Sequence, residues 1–233
     1  VTYTPNTSTI NFGSALPAGT YRLFVCGTTS VVDLALNPIN GGTDTIYNFV
    51  VASATAGTTT AASLPKTGFA PNKVTSPPVQ PANLAYTDLG SIWIEIPSQN
   101  IKSAIVGVPK TDKGWDTTWL ANDTGWLNGT AFPTWEGNSV LTAHVTNANG
   151  LPGPFANLKE LKYGDQIIVN LYGQQYIYEV RSTRLSRPTT TSFALEDLED
   201  YSYITLVTCQ GYNPLSDSYL FRRIVRAVLV SVK

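Results

Sequence analysis

One histidine, two cysteines and no methionine among 233 residues leave little from which a structural zinc site or a disulfide framework could be built. Charge is equally sparse. Asp, Glu, Lys and Arg make up 13% of the chain and the formal net charge is -1, so no basic field is available to hold nucleic acid or an anionic membrane. No window approaches the ~20 consecutive apolar residues that a membrane-spanning helix needs. Because the chain opens on Val1, it is expected to be a processed product or an excerpt, with any signal peptide and membrane anchor missing from it. Thr, Ser, Asn, Gly, Pro and aromatic residues are abundant instead, the aromatics at 11%. Strands of β-branched and aromatic residues interrupted by turn formers have this profile, which points to an all-β secreted protein; no cofactor is expected.

Three regions follow from local composition. In residues 1–52, Thr20–Cys26 and Thr45–Val51 read as strands separated by the turn-rich Asn37-Pro38-Ile39-Asn40-Gly41-Gly42. Leu16-Pro17-Ala18-Gly19-Thr20-Tyr21 and the later Asp33-Leu34-Ala35-Leu36-Asn37-Pro38 resemble the second half of a bacterial immunoglobulin-like domain, with Leu36 where that pattern has glycine. A half-sandwich of ~50 residues is too small to bury a core alone. It is expected to pair with a half lost upstream, to pack on the rest of the chain, or to complete a sheet in a neighbouring copy by strand addition. Cys26 reads as a buried small apolar residue. Residues 53–88, small and polar and then proline-rich, read as an extended linker. Residues 89–233 supply seven expected strands: Ser91–Ile96, Ile101–Val108, Ser139–Val145, Gln166–Tyr172, Gln175–Thr183, Ile204–Cys209 and Tyr219–Val232. Trp115–Leu127 and Phe155–Leu161 are expected to be short helices between them.

The chemistry concentrates in that last region. Thr205-Leu206-Val207-Thr208-Cys209 closes a strand on a cysteine, the chain's one histidine, His144, lies upstream, and Arg222, Arg223 and Arg226 lie downstream. A thiol to attack an amide, an imidazole to protonate the departing amine and a guanidinium to hold a developing oxyanion are what a cysteine transpeptidase requires. A papain-like arrangement is disfavoured, since no helix-borne cysteine precedes the histidine. The order His, Cys, Arg resembles the sortase family, as do Gly129-Thr130-Ala131-Phe132-Pro133 and Gly137-Asn138-Ser139-Val140-Leu141-Thr142-Ala143-His144. Ala143 stands where many sortases have glycine. The resemblance implies a closed β-barrel of seven to eight strands with short helices. It also implies His144, Cys209 and Arg222 as the catalytic set, Thr208 and Leu206 as residues shaping the substrate groove, and substrate choice by the loops 184–202 and 210–218. It implies an enzyme of the bacterial cell surface or the secreted fraction whose partners are an LPxTG-type peptide and an amine acceptor. Some sortases bind calcium near the first loop; Glu196, Asp197, Glu199 and Asp200, spaced as on a short helix, read instead as a solvated face with no metal bound.

Within the linker lies Leu64-Pro65-Lys66-Thr67-Gly68, the LPxTG pentapeptide that sortases cut between Thr and Gly. Three readings stay open for it: a sorting signal, although no apolar span or basic tail follows; a pseudosubstrate or self-processing site acting at the high effective concentration of a tether; or plain linker. The rival to an enzyme is a sortase-fold subunit of an extracellular assembly of like copies or surface proteins, its site silent or self-occupied.

Overall fold

Alternation of apolar and polar residues sets the strands, and the strands close on themselves. The computed structural model describes residues 2–4, 7–9, 19–25, 43, 45–51, 64–197 and 201–233. It divides into two compact units, Val1–Thr59 and Thr60–Lys233. In the first, strands β1 (Thr2–Thr4) and β2 (Thr7–Thr9) pair antiparallel, as do β3 (Gly19–Val25) and β4 (Thr45–Val51). The last two meet the expectation for this region. Cys26, the turn 37–42 and most of the immunoglobulin-like pattern lie outside the described residues.

The second unit is an eight-stranded closed barrel. Its strands are β5 (Thr87–Ile96), β6 (Ile101–Val108), β9 (Thr124–Leu127), β10 (Gly137–Thr142), β11 (Gln166–Leu171), β12 (Gln174–Ser186), β13 (Ser202–Asn213) and β14 (Ser218–Val232); β7 (Lys110–Thr111) and β8 (Gly114–Trp115) form a small separate ribbon. The order around the barrel is β10-β13-β14-β12-β11-β5-β6-β9, with β9 pairing back to β10. β6–β9 and β10–β13 run parallel, and the other neighbours run antiparallel. In β5, Ile92, Ile94 and Ile96 are buried while their neighbours are not, as period two requires. The turn from β5 to β6 ends on Asn100 at φ 52°, a left-handed position that asparagine tolerates better than most residues.

Two apolar clusters divide the wall of the barrel between its faces. The larger fills the interior with Ile94, Leu141, Ile167, Val180, Leu206 and Val225 among others. The smaller lies on the outside, where Val140, Val207 and Ile224 are covered by Leu64, Trp115, Leu120 and Ala194. β13 is therefore buried on both faces, and its residues 203–209 are buried without interruption. That double covering explains why Tyr203–Cys209 shows no polar alternation in sequence.

The helix expected over Trp115–Leu127 is absent. The segment is β8, two turns closed by Leu120 N–H to Thr117 O and Asp123 N–H to Leu120 O, and then β9. Trp115, Trp119 and Leu120 mimic a helical stripe, but Asn122-Asp123-Thr124-Gly125 carries turn chemistry, and the barrel would stay open without a strand between β6 and β10. Gly125 belongs there on packing grounds, since a Cβ would lie 2.6 Å from Val108 Cγ2. The helix expected over Phe155–Leu161 shrinks to one 3-10 turn, Leu158–Glu160. Phe155, Leu158 and Leu161, spaced three apart, all reach the interior cluster, which suits three residues per turn.

Candidate active site

Strand register makes the first juxtaposition. Cys209 on β13 pairs directly with Arg222 on β14, Val207 with Ile224 and Thr205 with Arg226, so these pairs share the outer face. Cys209 is 1% and Arg222 4% exposed. The Arg222 Nη1 donates to the Phe221 carbonyl at 3.2 Å, and its buried Nε has no partner among the described residues. Arg223, one residue on, faces the other way and donates from Nε to Gln210 Oε1 at 2.9 Å, while Arg226 donates from Nη2 to the Phe193 carbonyl at 2.7 Å. Of the three arginines, Arg222 is the one opposite the thiol.

His144 follows β10, which runs parallel beside β13. Thr208 Oγ1 donates to the Ala143 carbonyl at 2.8 Å and Thr142 Oγ1 to the Val207 carbonyl at 2.8 Å, tying the end of β10 to the cysteine strand. The imidazole is 1% exposed and neither ring nitrogen reaches hydrogen-bonding geometry with a described residue. Burial draws its pKa from 6.5 down to about 4, with the nearby backbone of Thr117 and Thr118 opposing part of the shift. At neutral pH the ring is uncharged. Its backbone is gripped by Gly153, where a Cβ would lie 2.2 Å from the His144 carbonyl oxygen; that carbonyl accepts the Phe155 N–H at 3.2 Å. Gly153 belongs to Pro152-Gly153-Pro154 and escaped sequence reasoning, although a glycine between two prolines is a signal of close backbone approach.

Leu64–Gly68 lies across this constellation. Leu64, 6% exposed, enters the outer cluster beside Trp115, Val140 and Val207. Thr117 Oγ1 donates to the Lys66 carbonyl at 2.7 Å, and the Lys66 side chain is exposed. Thr67 is fully buried on the cysteine: its N–H points to Sγ at 3.2 Å, its hydroxyl lies 3.6 Å from Sγ, and it accepts the Cys209 N–H at 3.1 Å. The Thr67 carbonyl accepts the Val145 N–H at 3.1 Å. Gly68 leaves no room for a side chain, because a Cβ would stand 2.7 Å from both Tyr219 Cε2 and Val145 Cγ1. On the glycine side a cavity of about 430 Å³ opens onto Cys209 and Arg222, walled by Phe69, Lys73, Asp217 and Tyr219.

Leu206 and Thr208 are not on this face. Period two turns Leu206 into the interior cluster and spends the Thr208 hydroxyl on Ala143, so Val207 is the β13 residue that touches the Leu64 pocket. Tyr219 and Thr117, both in contact with the peptide, were not singled out in the sequence, where nothing in residue type or spacing marks them. Asp197 accepts the Asn138 N–H at 3.1 Å; Glu199 and Asp200 lie outside the described residues.

A model of the sortase domain matches residues 94–230, more than half of the chain. The chain belongs to the sortase family. Solved sortases are similar to it. Sortase C-1 from Actinomyces oris is 31% identical, with 60% of this chain covering 73% of that one at a TM-score of 0.49. Sortase A from Corynebacterium diphtheriae is 30% identical, with 60% of each chain covered at a TM-score of 0.50; its lid mutant is 29% identical, with 60% of this chain covering 69% of that one at 0.50. Among curated proteins no significant match was found. In this sortase no helix among the described residues is long and apolar enough to cross a membrane.

Proposed function

We propose that this sortase is an extracellular cysteine transpeptidase that cuts an LPxTG-type donor between Thr and Gly and passes the acyl group to an amine, and that its own Leu64–Gly68 holds the donor groove at rest. The observation that carries the reading is the seating of Thr67 on Cys209 with Leu64 three residues upstream in an apolar pocket. An outside donor in the same register brings its threonine carbonyl to the thiolate. Sγ adds to the carbonyl carbon, Arg222 Nε and the Val145 N–H stabilise the oxyanion, and His144 as imidazolium gives its proton to the departing glycine amine. The thioester is then opened by an amine entering through the cavity beside Arg222, His144 taking up the proton; water serves where no amine comes.

The internal peptide is a pseudosubstrate in this reading because the covered, neutral His144 holds no acidic proton for a leaving amine. A silent subunit of a surface assembly has the occupied groove in its favour too. Mass spectrometry separates the two: the protein is incubated with an LPKTG-containing peptide, with and without an added amine, as wild type, Leu64→Ala, and Leu64→Ala with Cys209→Ala. Cysteine-dependent cutting at Thr-Gly, faster in Leu64→Ala than in wild type, is expected; no cutting by Leu64→Ala would leave the silent subunit standing.

A further inference from the structure

The docked peptide continues past Gly68, and the next side chain is the one that meets the histidine. The Phe69 ring centroid lies 5.1 Å from that of His144 with the planes tilted 51°. Its backbone is held on both sides: Phe69 N–H donates to the Thr146 carbonyl at 3.0 Å, and Tyr219 Oη donates to the Phe69 carbonyl at 2.9 Å. Further on, Asn72 N–H reaches the Gly150 carbonyl at 2.9 Å and Thr75 N–H the Ala148 carbonyl at 2.7 Å. Contacts through backbone atoms are open to any peptide. The packing on His144 is not, because it needs a flat apolar side chain in that one place.

We infer that Phe69 is what makes the internal peptide an inhibitor instead of a donor, and that any peptide with an aromatic side chain immediately after the glycine binds this groove more tightly and turns over more slowly than one without. The inference rests on the proposed reading that outside peptides take the internal register. An aromatic ring on the imidazole adds favourable ring-ring contact, so it tightens the complex. It also excludes water from a ring whose two nitrogens make no hydrogen bond of good geometry among the described residues, so the imidazole stays uncharged when the glycine amine needs a proton. Small or polar side chains after the glycine give up the contact and let water reach the ring. Tight binding and fast turnover are thereby set against each other at one position.

The test uses full-length Leu64→Ala protein, whose groove is freed, and two peptides, LPKTGFAPN and LPKTGSAPN. Protection of Cys209 from iodoacetamide reads binding, and the rate of Thr-Gly cutting at saturating peptide reads turnover. The phenylalanine peptide should protect at about tenfold lower concentration, in line with an aromatic contact, and be cut several-fold more slowly. Equal protection, or equally fast cutting at saturation, would overturn the inference. If neither peptide is cut, the transpeptidase reading fails, while the protection ratio still decides whether the groove selects the aromatic residue.

Discussion

Truncating Leu64 should open the groove, and the size of the effect follows from its burial. Leu64 is 6% exposed in the outer cluster, where it anchors a segment also held by hydrogen bonds and by the Phe69 ring on His144. Leucine-to-alanine changes in closed cores cost about 2–5 kcal/mol. Because this segment can lift away and hydrate, the lower end applies, about 2.5 kcal/mol. At ~1.4 kcal/mol per tenfold, the open fraction rises about 60-fold. Alkylation of Cys209 by iodoacetamide reports that fraction directly, since Thr67 covers the sulfur in the closed state. The rate is followed by peptide mass mapping so that Cys26 is counted separately. Lys66→Ala is the control, because it removes an exposed side chain and leaves the carbonyl that Thr117 binds. Leu64→Ala should raise the Cys209 rate about 60-fold and Lys66→Ala should leave it within about threefold. Wild-type and Leu64→Ala rates that agree within about threefold would refute the claim that the peptide guards the thiol.

The lone histidine permits an unambiguous NMR titration: in wild type the imidazole should titrate near 4, and in Leu64→Ala it should move up toward 6.5 as the ring hydrates. Since the folded pKa lies below the unfolded one, the unfolded chain takes the proton first, and stability falls as pH drops from about 6.5 to 4. The loss is up to about 3 kcal/mol. Urea unfolding at pH 7 and pH 4.5 should show this component in wild type and lack it in His144→Gln; a wild-type titration near 6.5 would contradict the burial argument. Asn138→Ala should destabilise the barrel unit by about 3 kcal/mol, because its amide donates to the Ala194 and Glu196 carbonyls at 2.9 Å and accepts from Thr205 Oγ1 at 2.7 Å. Calorimetry should record a drop in Tm of about 6–12 °C, and a change under 2 °C would show that the 192–197 segment is held by other means.

What could be read without a structure was whatever depends on near neighbours along the chain. Ile92, Ile94 and Ile96 announce one buried face of β5, and Ile101–Val108 is bounded in the structure as its pattern suggests. The β-branched and apolar run Tyr203–Cys209 marked a strand but not its burial on both faces, which comes from segments far off in sequence. The stretch Trp115–Leu127 misled for the same cause: its fate as a covering segment and a closing strand was decided by the gap between β6 and β10. Residue type and order singled out His144, Cys209, Arg222 and Leu64–Gly68. Their convergence was a matter of tertiary structure. Register across β13 and β14 sets Arg222 against Cys209 and turns Arg223 away, the parallel run of β10 brings His144 to the same end of the sheet, and the outer apolar pocket holds Leu64 so that Thr67 falls on the sulfur. Alternation is a local property of a strand and is written in consecutive residues; which strands lie side by side, and what covers them, is settled by burial summed over the whole chain.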